Sequence, residues 1–148
     1  RFETGGADLF LGAVDVSDGN VDSNVLKEAA QLAEIHGAQL DVITVLPDFG
    51  NSLVSGFFKP DFHKEAEKKA ARQLQELCIA TLGEERNKSV RHVVATGPAY
   101  DEILKVAENA GTDLIVIGAH KPDMKDFLLG PNATRIINHS ECSVYVVR

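Results

Sequence analysis

DLIVIGAHKPDMKDFLLGPNATRIINHSECSVYVVR, residues 113–148, holds two apolar runs, Leu114 to Ile117 and Val144 to Val147, separated by a glycine-bounded loop and a short helical stretch. Short apolar runs bounded by turn residues read as buried strands, and a strand, helix, strand succession is the unit of a parallel sheet. The same succession recurs toward the amino terminus. Leu9 to Val14 (LFLGAV), Leu40 to Leu46 (LDVITVL) and Val90 to Ala95 (VRHVVA) predict three more strands, five in all.

Helical periodicity fills the gaps. Val21 to Ile35 places Val25, Leu26, Ala29, Leu32 and Ala33 on one face, with Gly37 as the stop. Phe62 to Leu82 repeats Ala66, Ala70, Leu74, Leu77 and Thr81 at spacings of three and four, with Glu and Lys outside and Gly83 closing it. Pro98 to Ala110 starts with Pro in a first turn, turns Ile103, Leu104 and Ala107 inward and is halted by Gly111, and Asn132 to His139 forms the last helix. Strand and helix alternating four times before a closing strand, with right-handed crossovers, predicts a doubly wound α/β sheet. Such sheets bind ligands beyond the carboxyl ends of the strands, where the winding reverses. The residues there are Asp15 to Gly19, Pro47 onward, Thr96 to Tyr100 and Gly118 to Asn132.

The chain has 148 residues, 44% hydrophobic and 25% charged, the size of one domain spanning 1–148, with no internal repeat, low-complexity tract or linker. A net charge of -7 argues against a nucleic-acid or anionic-membrane surface, both of which need excess Lys and Arg. No apolar stretch reaches the roughly 18 residues of a membrane span, and RFETGGADLF does not read as a signal peptide, so a cytoplasmic location is expected. Cys78 and Cys142 lack metal spacing and read as reduced thiols. His36, His63, His92 and His139 share no metal-ligand spacing either, and no metal site is assigned. The irregular stretch 47–60, with adjacent Phe57 and Phe58, either folds back on the core or meets a partner.

Gly118 ends the fourth strand and Gly130 precedes the fourth helix. Two such glycines either mark element boundaries or let a backbone approach a phosphate chain at a helix start, whose N–H groups and dipole favour an anion. The spacing leaves both readings open. Residues 113–148, read together with the early AVDVSD and with GPAYDEIL, resemble the universal stress protein family over nearly the whole chain, most closely its shorter-loop members.

That resemblance implies a five-stranded parallel sheet of order 3-2-1-4-5 with helices on both faces, a Rossmann-like arrangement. It also implies a homodimer formed through the last strand, Val144 to Val147, whose pairs can join into tetramers, and a division of members into ATP binders and non-binders. In the binders a G-x-x-G, nine residues, then G and Ser or Thr hold ribose and phosphates. Gly118 matches the first glycine. Lys121 stands at the second, the stretch to Gly130 is one residue shorter, and Pro131 replaces the Ser or Thr. Proline removes both an N–H and a hydroxyl. Against that loss, Pro suits a first helical turn and leaves the N–H groups of Asn132 and Ala133 facing outward, while Lys121 and Lys125 add charge.

The cofactor set carried over from the resemblance is ATP, with any Mg²⁺ brought in by the nucleotide. Its residues are Ala13, Val14 and Asp15 at the end of strand one, Val45 pairing its backbone with the adenine edge, Ile117, Gly118, His120 and Lys121 after strand four, and Gly130, Pro131 and Asn132 at the helix start. Asp15 can equally order its own loop, and His120 has no positioned partner for base catalysis.

The sequence has no P-loop, no HIGH-type adenylate motif and no base with an orienting partner, so no catalytic residue is assigned and at most slow ATP hydrolysis is expected. A receiver-like reading fails because Ala95-Thr96-Gly97 and Val147-Arg148 stand where an acceptor Asp and a Lys are needed. Two functions remain. One is an ATP-binding regulatory dimer that acts on a protein partner. The other is a nucleotide-independent dimer working through protein contacts, for which Pro131 argues. An apolar last strand with little charge favours self-pairing in both.

Overall fold

The computed structural model describes residues 8–16, 23–48, 62–119 and 130–148. Their elements run β1 (Leu9–Ala13), α1 (Ser23–His36), β2 (Gln39–Leu46), α2 (Phe62–Leu82), α3 (Glu84–Asn87), β3 (Arg91–Thr96), α4 (Ala99–Ala110), β4 (Leu114–Gly118), α5 (Pro131–His139) and β5 (Ser143–Val147). The five strands form one parallel sheet in the order β3-β2-β1-β4-β5. The doubly wound fold expected from the alternation is therefore the one observed.

Alternate strand residues feed two cores, as the two-residue side-chain period requires. Phe10, Leu40, Val42 and Val116 join Val25, Leu26 and Ala29 of α1 and Leu74, Leu77 and Cys78 of α2. Leu11, Ile43, Ile115 and Ile117 join Ile103 and Ala107 of α4 and Ala133 and Ile136 of α5 on the other face. Near-continuous apolar strands are what burial on both faces demands. Gly12 is needed by packing: a Cβ there would lie 3.1 Å from Ala29 Cβ, so α1 rides unusually close over β1. Gly111 closes α4 in the left-handed region, φ 72°.

The structure corrects several boundaries. Pro98 is the N-cap of α4, extended at φ -65° and ψ 128°, and lies outside its first turn. Pro131 takes the N1 position of α5, one residue ahead of the expected start. A one-turn helix, α3, follows Gly83 (φ 90°), where no element was expected, because four residues are too few to show a period. Residues 49–60 of the 47–60 stretch fall outside the described residues, so the choice between core and partner for Phe57 and Phe58 stays a sequence expectation. Among the described residues no helix is long and apolar enough to cross a membrane.

Candidate functional site

β1 and β4 are neighbours, and the chain leaves them in opposite directions, toward β2 through α1 and toward β5 through α5. That makes the carboxyl ends of β1 and β4 the switch point, where a crevice opens because the flanking crossovers diverge. β1 pairs with β2 as far as Ala13 opposite Ile43, and the Val14 N–H donates to the Ile43 carbonyl at 2.9 Å. In a parallel ladder successive residues turn their N–H and C=O to alternate sides. Ile43 faces β1, Thr44 faces β3, Val45 faces β1 again and the Leu46 carbonyl accepts from Gly97 N–H on the β3 side at 2.8 Å. Since the β1 ladder has already ended, the backbone edge of half-buried Val45 is presented to the crevice. Asp15 is exposed just past buried Val14.

On the other side, the Ala119 N–H donates to the Val147 carbonyl at 2.8 Å and the Gly130 N–H donates to the Ala119 carbonyl at 2.7 Å. These bonds draw together the two ends of the 120–129 segment and set the first turn of α5 beside the end of β4. Gly130 caps α5 without a side-chain bond, and the first ladder bond runs from Thr134 N–H to the Gly130 carbonyl at 3.0 Å. The N–H groups of Asn132 and Ala133 precede that bond, at the positive end of the helix dipole. Neither Gly118 nor Gly130 has a positive φ. Their use is closeness of approach: the only described atom within 4 Å of a Cβ built at Gly118 is Val25 Cγ2, at an ordinary 3.5 Å. His120, Lys121 and Lys125 lie outside the described residues.

Two residues of this region escaped the sequence reading. The Tyr100 N–H, in the first turn of α4, donates to Asn132 Oδ1 at 3.3 Å, and the Arg135 guanidinium sits 4.6 Å from the Tyr100 ring centroid. Asn132 and Arg135 are one turn apart on α5, so both reach the same residue. Asn132 Oδ1 is thus engaged at the start of α4, and a ligand there would meet this residue's donors, its side-chain NH₂ and its backbone N–H. No signal in the sequence places the start of α4 beside the start of α5. Ile117 is buried, and Gly118 and Ala13 are half-buried, at the carboxyl ends of β4 and β1.

The described residues also line two cavities, of about 440 Å³ between α1 and α3 and about 240 Å³ between α4 and Ser140-Glu141-Cys142. Both lie at the amino ends of the strands, away from the switch point, and neither touches a candidate residue. Residues 17–22, 49–61 and 120–129 lie outside the described residues. Among the described residues no three His, Cys, Asp or Glu converge as a metal site.

A parallel sheet of order β3-β2-β1-β4-β5 wound in both directions from β1 and β4 defines the class: an open, doubly wound α/β fold. The model of the universal stress protein family matches residues 10–148, and the chain belongs to that family. It is 28% identical over 141 residues to universal stress protein G of Shigella flexneri, covering 91% of this chain and 94% of that one. Its fold is shared by the solved structure of the hypothetical protein MJ0577, with a TM-score of 0.75, 21% identity and coverage of 95% and 94%. The universal stress protein from Archaeoglobus fulgidus, solved in complex with dAMP, has a TM-score of 0.63, 21% identity and coverage of 97% and 98%.

Proposed function

We propose that this chain binds ATP at the carboxyl ends of β1, β2 and β4 and works in the cytoplasm as a regulatory homodimer with a protein partner and without designed catalysis. The observation that carries the reading is the pair of backbone edges bracketing the switch point: Val45 on one side and the first turn of α5 on the other. An adenine needs a donor and an acceptor side by side, which one residue's N–H and C=O supply. A phosphate chain needs N–H donors and a positive dipole, which Asn132 and Ala133 supply. Gly118, which has no side chain, lies between them at the end of β4. The fit of these groups to an adenine nucleotide, and the dAMP complex of a relative, support the reading.

Asp15 and Val14 stand at the β1 side, and the family resemblance assigns His120 and Lys121, outside the described residues, to the nucleotide. Catalysis is not part of the reading because the sequence carries no P-loop and no HIGH-type adenylate motif. The dimer reading rests on β5, an edge strand paired on one side with β4, with Tyr145 40% exposed on it and Ile137 41% exposed on the neighbouring α5.

Nucleotide released from the purified protein should be identified, and ATP, ADP and AMP titrated calorimetrically. Failure of all three at millimolar concentration would defeat the reading. The second reading, a nucleotide-independent dimer, is favoured by Pro131 at N1, where the N–H nearest a phosphate is absent.

A further inference from the structure

Three side chains from three elements close a hydrogen-bonded ring away from the crevice. Gln75 Nε2 on α2 donates to His92 Nδ1 on β3 at 3.1 Å, His92 Nε2–H donates to Asn87 Oδ1 on α3 at 2.7 Å, and Asn87 Nδ2 donates to Gln75 Oε1 at 2.9 Å. Each amide contributes one donor and one acceptor to the ring, and a neutral imidazole contributes one of each, so all three edges are satisfied. Turning both amides over reverses the ring and moves the imidazole proton to Nδ1 without changing that count. An imidazolium has two donors and no acceptor. The ring would then hold four donors and two acceptors, and two donors must face each other however the amides turn.

We propose that this ring is a proton-sensitive latch, holding α2 and α3 against the edge strand β3 while His92 is neutral and releasing them when it is protonated. Among the described residues β3 pairs only with β2, so its hold on α2 and α3 depends on side-chain contacts of this kind. Asn87 is buried, so its amide has little access to water as a substitute partner.

The charges on the packed elements do not stand in for the ring. Arg86 of α3 is held by Glu34 of α1, and Lys88 by Glu85. Arg91 of β3 pairs with Asp41 of β2 one residue away, on the opposite face of the sheet from His92. Glu84 begins α3, Arg72 and Glu76 flank Gln75 on the exposed side of α2, and the Cys78 thiol one turn on is buried. On the far face, Lys105 of α4 is paired with Asp101 and Glu102. Burial holds the proton affinity of His92 below the ordinary histidine value, in the same direction as the ring geometry. A histidine lowered in the folded state stabilises the fold above its ordinary value of about 6.5, and that contribution fades as pH falls from there through the lower folded value.

The test is an NMR titration of the five histidines together with amide-exchange protection in α2 and α3. His92 should titrate below about 6.5, and protection factors in α3 and the carboxyl half of α2 should fall by up to about tenfold per pH unit below that point. Asn87→Asp replaces the ring donor by a carboxylate that accepts from an imidazolium, so it should raise the His92 midpoint above the ordinary value. It should also remove the acid loss of stability, measured by urea unfolding at about pH 7.5 and about pH 5.5. A wild-type His92 midpoint at or above the ordinary value overturns the latch, whether or not the variant folds. Equal acid losses in wild type and variant overturn it as well.

Discussion

Replacing Pro131 by serine puts the missing phosphate donors back where the helix geometry can use them. Pro131 occupies N1 of α5, so the helix start presents N–H groups only from Asn132 and Ala133 ahead of the Thr134 ladder bond. Serine adds an N–H and a hydroxyl at that position. One new hydrogen bond to a charged phosphate is worth about 1.5–3 kcal/mol, which lowers the Kd for ATP by roughly one to two decades. The fold should lose little, because Pro131 is exposed and removing a compatible proline costs about 0.4–1 kcal/mol. Calorimetric titration at matched protein concentration reads the affinity, and urea unfolding checks the stability. AMP should gain less than ATP, because its single phosphate lies nearer the ribose. An ATP affinity within about twofold of the wild type, where one bond predicts about tenfold or more, would refute the reasoning by placing the phosphates away from the start of α5.

Gly12→Val pushes a branched side chain toward Ala29 Cβ, 3.1 Å from the first added atom, and should cost about 1–3 kcal/mol in urea unfolding; Ala29→Gly in the same chain should recover part of it. Arg91→Ala leaves the Asp41 carboxylate, 4% exposed, without its 3.1 Å partner. The expected loss is about 1–3 kcal/mol, and the Asp41→Asn, Arg91→Ala double variant should lose less than the single one because no buried charge is stranded. Burial pushes the Cys78 thiol up to about 11, so iodoacetamide at about pH 8 should alkylate it only once the protein is unfolded. Peptide mass spectrometry showing Cys78 labelled in the native state as fast as free thiol would contradict that burial.

The crevice was legible in the sequence to the extent that it depends on strand ends. The strand ends could be placed because apolar runs stop there and chain order puts them at one edge of a parallel sheet, whereas Ala13, Val14, Val45, Ile117 and Gly118 were assigned by the family resemblance. Asn132 was assigned at the helix start, but the bond its carbonyl oxygen accepts from the Tyr100 N–H at the start of α4 was not legible. That bond joins residues 32 positions apart in the chain, and the periodicity of either helix says nothing about which partner lies across the gap. Arg135 over Tyr100 was missed for the same reason. α3 was missed because a single turn leaves no repeat to detect.

Hydrophobic period and glycine punctuation, both local properties, determined the five strands, the four longer helices and the parallel winding of this chain. Tertiary structure alone decided that the β1–β2 ladder ends at Ala13 opposite Ile43, two residues before Val45, leaving a backbone edge open to the crevice. It also decided that Gln75, Asn87 and His92, from separate elements, meet in one ring. Hydrogen bonds of this kind depend on the register of packed elements, and register is set by the fit of whole faces against one another, which no stretch of sequence holds by itself.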